Sequence, residues 1–487
     1  MTVFGGTCLA DDLTDSTSLD AKTLRIIPWI VAIAFFMQML DMSILNTALP
    51  SIAKSLDENP LNMHWAVIAY MLAVALLMPV SGWMADRFGT RTVLFGAILL
   101  FMAGSLCSAV SSSLNMLIAA RVVQGMGGAF MMPVGRLTVL RVYPRRYLVQ
   151  VLSFVSMPGL LGPLLGPTVG GFLVQYATWH WIFLINLPVG LVGCAAVLRY
   201  IPNVRRAELS RFDIRGFALF GAAMLLISFA LDSAGQKSLS APQVLALTAG
   251  GVLGMGLYVV HARVCPNPLF RLSIFRIRTF TVGLLGNIFA RLASGGMPYL
   301  TPLLLQVLLG YSPFNAGLIM IPMGLMAIFT KTLATRLLNG FGYRRVLFVN
   351  TVALGSIIAL YSNFSPGTPL YALLIIFGVF GAVNSLQFTG MNTLTLIGLP
   401  DEESSSGNSL LSLVMQLSMS LGVAVAAALM AACLPDGVKP VAGPELAAAF
   451  KSTYLCMGGI SVIAALIFLC TPKGFGRGAA QRMKAPT

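Results

Sequence analysis

Apolar stretches of about 20 residues, the length needed to cross a lipid bilayer, recur from one end of this chain to the other. Only 10% of its 487 residues are charged, whereas soluble proteins carry about 25%. Together with a mean hydropathy of +0.86, this pattern predicts an all-α membrane protein that passes through the bilayer many times.

The apolar stretches predict 14 transmembrane helices. Their expected ranges are 26–49, 64–84, 92–110, 114–138, 150–174, 180–199, 212–232, 242–262, 280–306, 314–335, 345–362, 369–396, 409–432 and 450–471. Lysine and arginine concentrate on the cytoplasmic side of membrane proteins. With both termini in the cytoplasm, 25 of the 31 basic residues lie on that side, four lie on the other, and Arg121 and Arg291 lie inside spans.

An internal duplication is visible in the loops. The sequence 86–91 after the second span resembles 339–345 after the tenth, and duplicated halves are common in secondary transporters. Two halves of six helices would leave two additional helices between them. The expected domains are a tail at 1–24, a bundle at 25–200, two linking helices within 201–265, a bundle at 266–472 and a basic tail at 473–487.

Charged residues inside spans are candidate functional groups, because each costs roughly 2.5–3.5 kcal/mol to insert. Asp41 in the first span and Arg121 in the fourth lie at similar depth, so they are expected to pair. Such a pair can couple transport to protons or can simply lock two helices together.

Other polar residues define a candidate substrate cavity. Arg291 lies in the ninth span with Asn287 one turn before it, and it is expected to contact either an anionic group or backbone carbonyls. Three pairs of polar residues are spaced three apart, on one helix face: Gln38 with Asp41, Arg121 with Gln124, and Asn384 with Gln387. Gln38, Gln124, Asn384 and Gln387 are therefore expected either to line the cavity or to form interhelical hydrogen bonds.

Several activities find no support in the sequence. The chain has no GxxxxGK[ST] loop for ATP, no GxSxG or HExxH motif and no CxxC pair. We therefore expect neither enzyme activity nor a cofactor or bound metal. The net charge of +15 arises from short loops between spans, so nucleic acid is not an expected partner.

Five stretches, in order along the chain, resemble motifs of the major facilitator superfamily and of its 14-helix drug:proton antiporter branch. They are residues 40–50, residues 82–91, Arg121 with 124–129, residues 162–171 and residues 179–188. The resemblance implies a major facilitator fold, with two six-helix bundles and two extra helices, that works by alternating access. It also implies that Asp41 and Arg121 belong to a proton-coupling network.

The resemblance assigns two further groups of residues. A cytoplasmic latch against the other bundle would consist of Gly82, Asp86, Arg87, Gly89 and Arg91. Asp86 could oppose the positive end of a helix expected to begin near Asn408. An antiporter-helix interface would consist of Gly162, Gly166, Pro167, Gly170 and Gly171.

The sequence thus predicts a proton-coupled exporter of small molecules, of the multidrug type, in the bacterial inner membrane. Its expected partners are the substrate, protons and the bilayer, and it is expected to act as a monomer. The branch often carries additional membrane acids that this chain lacks, and Arg291 favours anions. Export of an anionic metabolite or a metal chelate such as a citrate complex is therefore an alternative, and a non-transporting receptor or scaffold is another.

Overall fold

A computed structural model describes residues 20–205, 212–236, 239–434 and 443–471. Within these ranges the chain is helical and contains no β-strand. Thirteen helices in the described part are long and apolar enough to cross a membrane. The chain divides into two compact units, which are described separately.

The first unit comprises Met1–Leu56 and Trp65–Arg211. Its helices are α1 (Ala21–Ser55), α2 (His64–Leu77), α3 (Val80–Phe88), α4 (Thr90–Ala109), α5 (Leu114–Val142), α6 (Arg145–Tyr176), α7 (Trp181–Leu184) and α8 (Asn186–Tyr200). The most extensive packing joins α1 to α6 and α4 to α5. One apolar core lies among α1, α5 and α6, around Val31, Phe35 and Val139.

The second unit comprises Asp57–His64 and Phe212–Thr487. Its helices are α9 (Ile214–Gln236), α10 (Ala241–Val264), α11 (Arg278–Ser294), α12 (Met297–Leu303), α13 (Pro313–Ile319), α14 (Ile321–Phe341), α15 (Tyr343–Leu360), α16 (Leu370–Leu396), α17 (Asp401–Cys433) and α18 (Pro444–Phe468). The hairpin α9–α10, expected to link two bundles, falls in this unit. The five-part domain division stays a prediction, and residues 1–19 and 472–487 of its tails lie outside the described residues.

The second, sixth and tenth expected spans are each divided between two helices, namely α2 and α3, α7 and α8, and α13 and α14. Two further spans also differ from the structure. The ninth is not one continuous helix, because α11 ends at Ser294 and α12 begins at Met297, with Gly295 and Gly296 between them. The helix expected to begin near Asn408 in fact begins at Asp401. Its acids lie in the first turn, where negative charge suits the positive end of the helix dipole, so the helix extends into what the sequence suggested was a loop.

The duplicated turn has the same backbone conformation in both copies. Gly89 joins α3 to α4 with φ +92° and ψ 151°, and Gly342 joins α14 to α15 with φ +83° and ψ 148°. Residues with a side chain rarely adopt this φ range, which explains glycine at both positions. The matching geometry supports an internal duplication of the chain.

Candidate functional site

Asp41 and Arg121 form an ion pair inside the first unit. Arg121 Nη1 donates to Asp41 Oδ2 over 2.7 Å, and each side chain is only 1% exposed. The pairing predicted from their similar depths is therefore present. Its role in proton coupling is not determined by this geometry and stays a prediction.

Three more polar side chains complete a buried network around the carboxylate. Gln124 Nε2 and Asn186 Nδ2 both donate to Asp41 Oδ1, over 2.7 and 3.0 Å. Both amides also donate to Ser105 Oγ, over 2.7 and 3.1 Å. Because Arg121, Gln124 and Asn186 all donate to Asp41, the network suits its ionised form.

The guanidinium of Arg121 is also held from other directions. Its Nη1 donates to Gln124 Oε1 over 2.6 Å, and its Nε donates to the carbonyl of Ala66 over 3.3 Å. The ring of Tyr70 lies 4.2 Å from the guanidinium carbon, a cation–π distance. These contacts hold the guanidinium beside Asp41, and a buried guanidinium that lost its carboxylate partner would be costly.

The glycines of the predicted antiporter helix allow α6 to approach α1 closely. A Cβ on Gly162 would lie 2.8 Å from Leu40 N, and one on Gly170 would lie 2.7 Å from the carbonyl of Ile44. At Gly166 it would lie 1.8 Å from Ser43 Oγ, and this hydroxyl donates to the carbonyl of Gly162 over 2.9 Å. Pro167 and Gly171 are buried on the same helix. The glycine spacing of four residues thus places the helix that carries Asp41 directly against α6.

The predicted latch residues lie at the turn between α3 and α4. Asp86 forms an ion pair with Arg141 at the end of α5. Arg91 Nε donates to the carbonyl of Ile201 over 2.5 Å, and a Cβ on Gly89 would collide with Asn203. These contacts tie the turn to the segment after α8 in the same unit.

The other two latch residues differ in their packing. Arg87 lies over the ring of Trp83 at 5.2 Å, whereas a Cβ on Gly82 would meet no atom within 4 Å. The function of the latch stays a prediction.

Arg291 in the second unit has different surroundings from those of Arg121. It is 2% exposed, its Nε donates to Asn287 Oδ1 over 3.1 Å, and its guanidinium carbon lies 3.8 Å from the centre of the Phe388 ring. Among the described residues it has no acidic partner. Phe388 covers one face of the guanidinium, and contact of Arg291 with an anionic group stays a prediction.

The break after α11 lies next to this arginine. Gly295 N donates to the carbonyl of Arg291 over 2.7 Å and ends the helix. A Cβ on Gly422 of α17 would lie 2.7 Å from the same carbonyl, so the two helices cross closely here. Discontinuous helices of this kind are common where transporters bind substrates or ions.

The remaining predicted cavity residues differ in their partners. Gln387 is fully buried, donates to Thr351 Oγ1 over 2.7 Å and accepts from Asn350 over 2.8 Å, so it joins α16 to α15. Gln38 is 2% exposed on the helix of Asp41, and Asn384 is partly exposed. For Gln387 the geometry matches the interhelical alternative.

A third polar cluster holds the α9–α10 hairpin. Asp213 Oδ1 accepts from Gly216 N and contacts His261 Nε2, both at 2.8 Å, while its Oδ2 accepts from Leu269 N over 3.1 Å. Burial opposes ionisation of this carboxyl, but these hydrogen bonds outweigh it and lower its pKa. With Cys265, the Asp213 and His261 donor atoms lie within 4.8 Å of one another and could hold a metal ion, although the carboxylate is already satisfied without one. His261 is therefore paired with Asp213.

Sequence reasoning missed several members of these clusters. Asn186 lies in the stretch 179–188 that carried one of the family motifs, but no role was assigned to it. Ser105 and Thr351 are single small polar residues in apolar helices, and nothing in their spacing marks them. Tyr70 resembles many other aromatic residues of the chain until Arg121 is placed over its ring.

Comparison with known proteins identifies relatives across almost the whole chain. The model of the Major Facilitator Superfamily matches residues 31–423. A protein of Cronobacter sakazakii named multidrug resistance protein MdtD is 49% identical over 451 residues, covering 93% of this chain and 95% of that protein. Its namesake in Citrobacter koseri is 48% identical over 444 residues, with 91% and 94% covered.

Solved structures share the fold at much lower identity. The crystal structure of a D-xylose–proton symporter matches with a TM-score of 0.66 and 15% identity, covering 93% of this chain and 99% of the symporter. A POT family transporter in complex with a thioalcohol-conjugated peptide matches with a TM-score of 0.67 and 15% identity, covering 92% and 96%. At this identity the likeness concerns the fold alone.

Proposed function

The chain belongs to the major facilitator superfamily, and from this premise we propose that it is a proton-coupled exporter of small molecules, of the multidrug type, that works by alternating access. It is a multi-pass membrane protein, placed in the inner membrane, and a transporter rather than an enzyme. The multidrug character follows the name that relatives about 48–49% identical carry.

The observation that carries the proposal is the ion pair of Asp41 and Arg121, each 1% exposed. Asp41 is the one acidic side chain that the described ion pairs place deep inside a membrane span. An acid there can bind a proton only when the protein opens a path to water. Its proton therefore enters from whichever side is open, which is the requirement for coupling a proton gradient to alternating access.

The surrounding network gives this exchange a physical basis. With Asp41 ionised, Arg121 and the amides of Gln124 and Asn186 stabilise the charge. Protonation would remove the negative partner of Arg121, whose charge would then be uncompensated in a low-dielectric interior. This cost would favour a rearrangement of the helices that carry these groups. Because α1 and α6 pack closely, a movement of α1 would carry α6 with it.

Export of an anion is the second candidate, and Arg291 favours it. Its guanidinium is bonded to Asn287 and stacked on Phe388, without an acidic partner among the residues that the structure describes. A buried cation of this kind gains most from an anionic group. An anionic metabolite or a metal chelate such as a citrate complex would satisfy that charge.

One experiment separates these candidates from a non-transporting receptor or scaffold. The purified full chain is placed in liposomes with an imposed pH gradient, and tetraphenylphosphonium, ethidium and citrate are supplied as probes. The proposal expects concentration of at least one probe with dissipation of the gradient, reported by a pH-sensitive dye. A protein that moves no probe and leaves the gradient intact would be a receptor or scaffold.

A further inference from the structure

A cavity of about 720 Å³ lies in the second unit, beside the end of α10 and the loop that follows it. Phe220, Tyr258 and Phe270 form one wall, and Met255 extends the apolar surface. Two arginines, Arg263 and Arg276, also line it. An apolar wall with cations at its edge is the arrangement that an amphipathic anion requires.

The wall is held in place by specific contacts. The centre of the Phe220 ring lies 5.6 Å from the centre of the Tyr258 ring and 5.6 Å from that of the Phe270 ring. Tyr258 Oη accepts from Phe270 N over 3.0 Å, and Asp213 accepts from Leu269 N over 3.1 Å. These bonds fasten the loop after α10 to the α9–α10 hairpin, so the cavity is a formed feature of the fold.

The cavity is positively charged at its edge. Both Arg263 and Arg276 are exposed, and neither forms an ion pair with any residue in the described ranges. Among the side chains that the structure describes, one acid lies near the rim: Glu403 Oε1 accepts from Ser273 Oγ, another lining residue, over 2.9 Å. Both guanidinium groups are exposed and can contact a phosphate.

The position of the cavity favours a lipid as its occupant. Arg263 is the second-last residue of α10, at the end that the distribution of basic residues places in the cytoplasm. The stripe of α10 that carries Arg263 and Val259 continues toward the start of the helix as an exposed surface, with Val252 62% exposed. Acyl chains can follow this surface, whereas a soluble phosphate would use only the arginines.

We propose that this cavity binds an anionic phospholipid of the cytoplasmic leaflet. Its phosphate contacts Arg263 and Arg276 through charge-assisted hydrogen bonds. Its glycerol and upper acyl chains pack on Phe220, Tyr258 and Phe270. This site shares no residue with the Asp41 network and does not depend on the transport proposal.

The test counts the lipids bound to the purified full chain by native mass spectrometry. Phosphatidylglycerol is expected to remain bound in preference to phosphatidylcholine, and R263Q/R276Q should reduce that preference about tenfold or more. The matched control is R336Q/R345Q, which removes two other exposed arginines of the same predicted face. It should retain the wild-type preference.

A second variant examines the apolar part of the cavity. M255W adds bulk to the wall without changing charge, and it should weaken retention of phosphatidylglycerol while leaving thermal unfolding unchanged. Equal binding of the two lipids by the wild type would overturn the proposal. So would equal losses in the two double-arginine variants, or displacement of phosphatidylglycerol by millimolar inorganic phosphate, which would indicate a simple anion site.

Discussion

Among the residues that the structure describes, each of the two compact units buries one arginine in a membrane-spanning helix, but the two units surround it differently. Arg121 has a carboxylate partner at 2.7 Å and shares it with two amides. Arg291 has an amide and an aromatic face, and no acidic partner in the part of the chain that the structure describes. In the first arrangement Asp41 can bind and release a proton. In the second, Arg291 can only bind and release an anion. The proposal therefore places proton coupling in the unit of Asp41 and anion preference in the unit of Arg291.

Neutralising Asp41 should have the largest effect. D41N removes the group that changes protonation, so export driven by a pH gradient should fall to the level of protein-free liposomes. Counterflow, an exchange of labelled for unlabelled probe without a gradient, should persist because it needs no proton cycle. D57N is the control, since Asp57 lies in a loop at φ +53°, a conformation that asparagine tolerates well. Loss of counterflow together with driven export would indicate misfolding instead.

The close approach of α1 to α6 offers the next test. G162A would place a methyl group 2.7 Å from the backbone carbon of Met39, so it should destabilise the protein by about 1–3 kcal/mol. G159A is a matched control one turn earlier, where the nearest atom would lie at 3.8 Å. It should be neutral or slightly stabilising, since alanine favours helices. Thermal unfolding in detergent measures both, and equal effects would contradict the packing argument.

Arg291 should show a smaller effect that depends on the substrate. R291Q removes the charge but keeps a polar side chain beside Asn287, so transport of citrate should fall several-fold while transport of tetraphenylphosphonium stays unchanged. R291K should retain part of the citrate transport because it keeps the positive charge. The rest should be lost because lysine cannot stack its side chain on Phe388 as the planar guanidinium does. Initial rates in liposomes provide the measurement. Equal reduction for both probes would show that Arg291 acts through packing.

The smallest expected effect concerns Asp213. The folded state lowers the pKa of this carboxyl below its ordinary 3.8, so its stabilisation is present above that pH and is lost as the pH falls through the lower folded value. D213N should therefore reduce stability by about 1–2 kcal/mol at pH 7. The difference from wild type should shrink only below about pH 4. D20N, at an exposed residue without a capping bond, is the control in the same unfolding assay.

Much of the architecture could be predicted from sequence because a bilayer imposes simple rules. The length of the apolar stretches located the spans, and the lysines and arginines in the loops predicted which side of the membrane each loop faces. The repeated turn with Gly89 and Gly342 indicated the duplication. The exceptions have local causes. The break at Gly295 and Gly296 leaves the apolar run intact, so hydropathy alone could not reveal it. The helix α17 begins at Asp401, earlier than expected, because its acids suit the first turn of a helix. The same acids are also common in loops, so the sequence did not distinguish the two.

The candidate sites were predictable only in part. Charge in lipid is costly enough to mark Asp41, Arg121 and Arg291 directly. Neutral partners such as Ser105 and Thr351 carry no such penalty, and their roles emerge only when helices distant in sequence meet. Helical spacing placed Gln387 on an inward face, but it could not show that Asn350 and Thr351 already occupy its amide.

Proton release on substrate binding tests the role of Asp41 most directly. When the wild-type protein in weakly buffered detergent solution is mixed with a probe cation that it exports, the molecules that carry a proton on Asp41 should release it to a pH-indicator dye as the ion pair with Arg121 forms. D41N should bind the same probe, measured by equilibrium dialysis, and release none. Proton release of equal size from D41N would show that another group carries the proton and would contradict the account.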